Sequence, residues 1–275
     1  MSLKKIRALF NIKNTNISAS SFTKNDVKAL RVRFQPASAE NDIVPDVEVT
    51  SFPKEYIFSH INHQKLRSPD FNVSNLEGIY NGKVLTFISH LQKVVNSQET
   101  IGTEDSNTDS LILDMCHKIG LNWWPLNLKL FFDKSNEYDD FKQVHPEIVI
   151  ARDDTTVLAV ETDKQLKNIG PMTDFGETQI TAELLFCAYE NNHSIPFADQ
   201  TIFIMRTIST YVTFYKAVIP GAYWKELNDG LPQEQSIVIQ RWPRENNIKS
   251  GLDLAEPDGR QAVITALIKI RQSLL

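Results

Sequence analysis

Residues 145–164, HPEIVIARDDTTVLAVETDK, read as two short strands, EIVIA and TVLAVET, joined by the polar turn RDDT. Each strand carries an acid where an apolar strand needs none: Glu147 near the start of the first, Glu161 near the end of the second. Strand side chains alternate faces, so Val157, Ala159, Glu161 and Asp163 are expected on one face and Leu158, Val160, Thr162 and Lys164 on the other. Two carboxylates two residues apart at a strand end, with a third on the preceding strand, suit a hard divalent cation such as Mg²⁺, which takes oxygen ligands and few of them from protein. The same residues also read as solvated acids at the wet ends of a hairpin, where Asp and Glu are common.

The flanks supply a frame for the hairpin. Upstream, TDSLILDMCHKIGL predicts a helix: Thr108 can cap it, Leu111, Met115 and Ile119 repeat at helical spacing, and Gly120 stops it. LNLKLFF then alternates as a strand, and the polar loop DKSNEYDDFKQ follows. Downstream, GETQITAELLFCAYEN predicts a helix with Ile180, Leu184, Cys187 and Ala188 on one face. TIFIMRT and TYVTFYKAVI predict two more strands, and RQAVITALIKIRQSLL a last helix through Val263, Leu267, Ile270 and Leu274. Helix, three strands, helix and further strands point to an α/β (α+β) fold with a central mixed sheet flanked by helices.

The chain divides into three regions on composition. Residues 1–55 hold Ser, Asn and Pro clusters and are expected to form a basic, loosely ordered arm, with KALRVRF as its one strand-like run. Residues 56–100 contain the amphipathic helix GKVLTFISHLQKVVNS and form a helical extension. Residues 101–275 form the main domain. Residues 1–34 carry eight Lys and Arg against one acid, while the rest hold 21 bases against 33 acids, so a basic arm on an acidic body either tracks phosphates or is simply solvated.

Several classes find no support. No run of eighteen apolar residues occurs, so no membrane span is expected, and the N-terminal apolar run is too short and interrupted for a secretory signal. Cys116 and Cys187 lie in apolar helical surroundings and read as buried free thiols of a reducing, intracellular compartment, cytoplasm or nucleus. There is no CxxC, HExxH, GxSxG, Walker loop or GxGxxG, so structural zinc, zinc-protease, serine-hydrolase, nucleotide and dinucleotide-cofactor readings lack support. None of the six histidines forms a helical i, i+4 pair; His145 beside Pro146 reads as a solvated strand-entry residue or a phosphate contact.

The order P-E … E-x-x-K resembles the PD-(D/E)XK nuclease superfamily over about residues 100–275. Pro146-Glu147 matches the acid that follows Pro, with Glu for Asp, and Glu161 matches the second acid. Gln179 matches the polar residue of the next helix, and Glu104, with Asp109 as second choice, matches the acid often supplied by the first helix. The run YVTFYKAVIPGAYWKEL is similar to fungal nuclease-like domains of the superfamily, including C-terminal parts of crinkler-type effectors. The resemblance implies a restriction-endonuclease-like core and Mg²⁺- or Mn²⁺-dependent phosphodiester hydrolysis of DNA or RNA. It implies metal ligation by Glu104, Glu147 and Glu161, with Glu161, Asp163, Lys164 and Gln179 in catalysis.

One position departs from the family. The lysine expected two residues after the second acid is Asp163, and Lys164 lies one place further on, facing away in a regular strand. Either Asp163 serves as ligand or base, or a bulge turns Lys164 inward or Lys167 reaches back, or catalysis is lost and a nuclease fold binds nucleic acid or a partner protein. Lys167, Lys216, Arg241 and Arg244 are the candidate phosphate contacts. Tyr211, Phe214, Tyr215, Trp123 and Trp124 are aromatic enough to stack on bases, though core packing accounts for most of them.

Overall fold

Asp153 and Asp154 turn the chain with φ of 48° and 62°. Positive φ at both central residues gives the two-residue hairpin turn whose twist matches its strands, and Asp tolerates that conformation better than most residues. Around this hairpin the computed structural model describes residues 22–97, 106–130, 146–163, 176–247 and 249–275, with Ser106 and Asp163 described in backbone only. In chain order the elements are α1 (Lys24–Ala29), β1 (Val32–Pro36), α2 (His63–Arg67), α3 (Gly82–Ser97), α4 (Ser106–Ile119) and β2 (Leu126–Leu130). The hairpin strands β3 (Ile148–Arg152) and β4 (Thr155–Asp163) follow, then α5 (Glu177–Ser194), β5 (Gln200–Ile208) and β6 (Tyr211–Ile219). The chain closes with α6 (Gly221–Asp229), β7 (Ile237–Trp242), β8 (Leu252–Asp253) and α7 (Pro257–Ser273).

The strands form one mixed sheet in the order β1-β7-β6-β5-β4-β3-β2, with β8 paired to β6. β2, β3 and β4 form an antiparallel meander, β4 and β5 run parallel, and β5, β6 and β7 are antiparallel. Parallel neighbours need a crossover, which the segment containing α5 provides. The central mixed sheet flanked by helices expected from the sequence is therefore present.

Each face of the sheet buries its own core. Leu158, Val160, Ile148, Ile150, Met205 and Phe214 pack with α3, α4 and α7, whereas Val149, Ala159, Ile202, Ile204, Tyr215 and Ile239 pack with α5 and α6. Strict alternation fails at one place. Val157 packs on the same side as Leu158, not with Ala159, because the β3–β4 register shifts between Ile150 and Ala151 and leaves Val157 as the extra residue of a bulge. Beyond the bulge the pleat is regular: Glu161, Thr162 and Asp163 pair in order with Arg206, Thr207 and Ile208.

The described part of residues 1–55 is not a loosely attached arm. β1 is an edge strand of the sheet, parallel to β7 from Val32↔Ile237 to Pro36↔Arg241. Leu30 and Val32 are buried in one core and Ala37, Ile43 and Val44 in the other. Helix α3 likewise buries Val84, Phe87, Ile88, Leu91, Val94 and Val95 in the first core, so the proposed extension shares that core with the main domain. Cys116 and Cys187 are buried and unbonded, and burial pushes the Cys116 thiol up to about 12. No helix among the described residues is long and apolar enough to cross a membrane.

His90 on α3 gives the fold a pH dependence. Its Nδ1 is buried with no hydrogen-bond partner among the described residues, and desolvation holds its pKa below the usual 6.5, against the pull of Asp114. The unfolded chain then binds a proton that the folded chain does not, so stability is full above about pH 6.5 and falls as pH drops towards the lower folded value. One proton gives at most about 1.4 kcal/mol per pH unit, and partial solvent screening cuts that to a fraction. Thermal melts of wild type and His90→Gln between neutral and mildly acidic pH check this; the variant is expected to show the shallower decline.

Candidate active site

The site is built at one end of the sheet, where β4 ends and β3 begins. Glu147 stands one residue before β3, and its Oε2 accepts from the Thr162 backbone N at 2.6 Å and from Thr162 Oγ1 at 2.9 Å. Asp109, in the first turn of α4, also accepts from Thr162 Oγ1. A hydroxyl has one hydrogen to donate, so Thr162 Oγ1 serves one of the two carboxylates at a time, while the Thr162 backbone N–H serves Glu147. Thr162 shares the side of Leu158 and Val160, where α4 packs, and this is why Asp109 reaches it.

Glu161 lies on the other side of the strand, with Ala159 and beneath α5. Gln179 of α5 donates from Nε2 to Glu161 Oε1 at 2.5 Å and to Glu183 Oε1, one helical turn on, at 2.9 Å. Glu161 and Glu183 are 6% and 1% exposed, too buried to be merely solvated acids. Arg206, 2% exposed, is Glu161's register partner on β5. Burial also raises the Tyr215 phenol, opposed by Arg206, which bonds to it.

Gly176 makes room for this cluster. It precedes α5 with φ 82°, and a Cβ there would lie 2.1 Å from Arg206 Nη2. Only glycine both turns the chain into the helix at that φ and lets the guanidinium pass beneath it. The first residue of the helix, Glu177, is buried in an ion pair with Arg241 of β7. Its charge favours the helix N-terminus as well.

The predicted site residues thus divide. Glu161 and Gln179 are in direct contact, and Glu147 sits on the amide immediately after Glu161. The backbone runs in regular register with β5 from Leu158 to Asp163, so the strand has no bulge between Val157 and the end of β4. Glu104, Lys164 and Lys167 lie outside the described residues. Arg241 does not face solvent: it is spent on Glu177 and on the Arg244 carbonyl, while Arg244 itself is exposed. Lys216 donates to the Asp42 carbonyl at 3.0 Å. Trp123 and Trp124 are exposed, but they precede β2, whose far end, Leu130, is the one that pairs beside the acids at Ile148. Tyr215 and Phe214 are core residues.

Sequence reasoning missed Glu183 and Arg206. Glu183 sits four residues after Gln179 on a helix that is otherwise nearly all buried, and Arg206 interrupts an apolar strand. A charge inside an apolar run was the available signal for each. Among the described residues no three His, Cys, Asp or Glu side chains converge as a ready metal cage. No family model matches the chain, and no curated protein matches it.

Proposed function

We propose that the protein is a metal-dependent nuclease of the PD-(D/E)XK type, hydrolysing phosphodiester bonds of DNA or RNA inside the cell. The observation that carries this reading is the meeting, at one end of β4, of acids and an amide from three elements: Glu147 before β3, Glu161 on β4 and Gln179 on α5. The helix–meander–helix–parallel strand order of α4, β2–β4, α5 and β5 is the order the superfamily uses, and it supports the reading.

The donor set fits a hard cation. It is all oxygen. Asp109 and Glu147 meet at Thr162 on the α4 side and Glu161 lies on the α5 side, so Mg²⁺ or Mn²⁺ shared by them, with Glu104 joining from the segment before α4, would have to bind past the end of β4. When bound, the ion supplies an activated water and neutralises charge on the scissile phosphate. Gln179 holds the Glu161 carboxylate in place and, through its amide, orients what approaches it. Asp163 replaces the usual lysine as ligand or base, and Lys164 and Lys167 supply charge for the phosphate. No dinucleotide cofactor is invoked.

A second reading is a catalytically silent nuclease fold that binds nucleic acid or a partner protein. It is favoured by the engagement of both acids within the fold, Glu147 by Thr162 and Glu161 by Gln179. One experiment separates the two. Single- and double-stranded DNA and RNA are incubated with the protein in Mg²⁺, Mn²⁺ or EDTA, and Mn²⁺ binding is followed by calorimetry in wild type and Glu161→Ala. The nuclease reading expects cleavage abolished by EDTA and Mn²⁺ binding weakened in the variant. Failure to cut any substrate, with equal Mn²⁺ binding by both proteins, leaves the silent fold.

A further inference from the structure

Helix α1 and strand β1 border a cleft of about 410 Å³ against the start of α5. Lys24, Lys28, Arg31 and Arg33 line it, and all four are exposed. Four cations around one opening contrast with a chain whose net charge is −5. Glu177, the one acid in the lining, is already paired with Arg241. Asp26, also on α1, is turned back on Thr23, whose N and Oγ1 it accepts at 2.9 and 2.6 Å. Arg31 donates from Nε to the Gln235 carbonyl at 3.1 Å, which anchors its guanidinium at the rim.

The inner wall is the first turn of α5, with Glu177 and Thr178. The N-terminus of this 18-residue helix adds partial positive charge to the side-chain cations. Gln179, bonded to Glu161, is the next residue. The cleft and the acidic cluster thus share the first turns of α5, although β1 lies four strands from β4 in the sheet, roughly 19 Å at about 4.8 Å per strand.

We infer that this cleft holds the sugar–phosphate backbone of a nucleic-acid strand at the start of α5. The inference deepens the nuclease reading and takes its ligand from it. Lys24, Lys28 and Arg33 contact phosphates as charges, independent of sequence, and Arg31 marks the rim. This places the phosphate-binding surface on the N-terminal elements α1 and β1, apart from Lys216 and Arg241, whose charged groups are engaged within the protein.

The test is binding without chemistry. Labelled single- and double-stranded DNA and RNA are titrated by anisotropy in EDTA across a salt series. Each phosphate-contacting cation contributes about 0.9 to the log–log salt slope on duplex and about 0.7 on single strands. Lys24→Ala/Lys28→Ala/Arg33→Ala is expected to lower the slope by roughly 2–3 and weaken low-salt binding at least about tenfold. The single variants Lys28→Ala and Arg33→Ala, which disturb the fold least, should each lower the slope by about 1. Lys65→Ala/Lys83→Ala/Lys93→Ala removes the same charge from α2 and α3 and should leave it unchanged. The four substrates report which nucleic acid the cleft prefers. An unchanged slope in the cleft variants, an equal loss in the remote variant, or no binding by wild type overturns the inference. Cleft-dependent binding without cleavage sinks only the nuclease reading; cleavage with cleft-independent binding sinks only this one.

Discussion

Replacing Arg260 by Met is expected to destabilise the protein by about 3–5 kcal/mol, because several buried carbonyls lose their donor at about 1–3 kcal/mol each. At roughly 2–4 °C per kcal/mol for a chain approaching this size, the melting temperature falls by roughly 6–20 °C. Arg260 on α7 is fully buried. Its Nη1 donates to the carbonyls of Leu254 and Ala255 at 2.7 and 3.0 Å. Its Nη2 donates to those of Ile57, Phe58 and Ile61 at 3.2, 3.3 and 2.8 Å. The guanidinium also lies 4.0 Å over the Phe58 ring.

Burial pulls the Arg260 pKa down to about 10, against Glu256 and Asp253, so it stays charged at neutral pH. Met fills the stem's space but donates nothing, and each stranded buried carbonyl costs about 1–3 kcal/mol. Arg260→Lys keeps the charge but loses the planar fork, so it should fall between the two. A melt of Arg260→Met within about 2 °C of wild type would show that water or a backbone shift satisfies the carbonyls, and that the clamp between α7 and residues 57–61 is dispensable.

The second large effect concerns chemistry. Under the nuclease reading, Glu161→Gln should lower metal-dependent cleavage by roughly 10²–10³, the scale for losing one charged group that acts on the transition state. The amide keeps the size of the side chain and a carbonyl oxygen for Gln179, so the loss reports charge, not packing. Glu183→Gln is the matched control: it makes the same charge change one bond further back, through Gln179. Loss of a group that orients a ligand typically costs about 10–100-fold, so Glu183→Gln should be the milder variant. Rates are compared at equal folded fraction, because Arg206 faces Glu161 across the strands and neutralising either acid alters that balance. Equal rates in wild type and Glu161→Gln would remove Glu161 from the site.

Much of this architecture has a local cause and was readable. The hairpin of β3 and β4, the helices α3, α4 and α5, and the strands β5 and β6 each follow from a run whose apolar period matches one element. β7 and α6 were not anticipated, although IVIQRW alternates, with Ile237 and Ile239 buried. The weak β1 run looked like part of an arm because its partner β7 lies about 200 residues away and pairs in parallel. Parallel pairing over that distance leaves no turn signal in the chain.

For the candidate site, the sequence alone singled out acids at the ends of a hairpin and an amide in the next helix, because side-chain type and strand period are local properties. It also placed Asp163 two residues after Glu161, where the resemblance expects a lysine. Only the tertiary structure decided how those groups are shared. One pleat step sends Thr162, with Asp109 and Glu147, to the α4 side and Glu161, with Gln179 and Glu183, to the α5 side. The bulge at Val157 shows how easily that parity shifts, because inserting one residue exchanges the two faces. Arg206 and Arg241 are the same residue type on strands of one sheet, yet one lies opposite Glu161 and the other pairs with Glu177. Those partners come from strand register and from the packing of α5, which join residues dozens of positions apart.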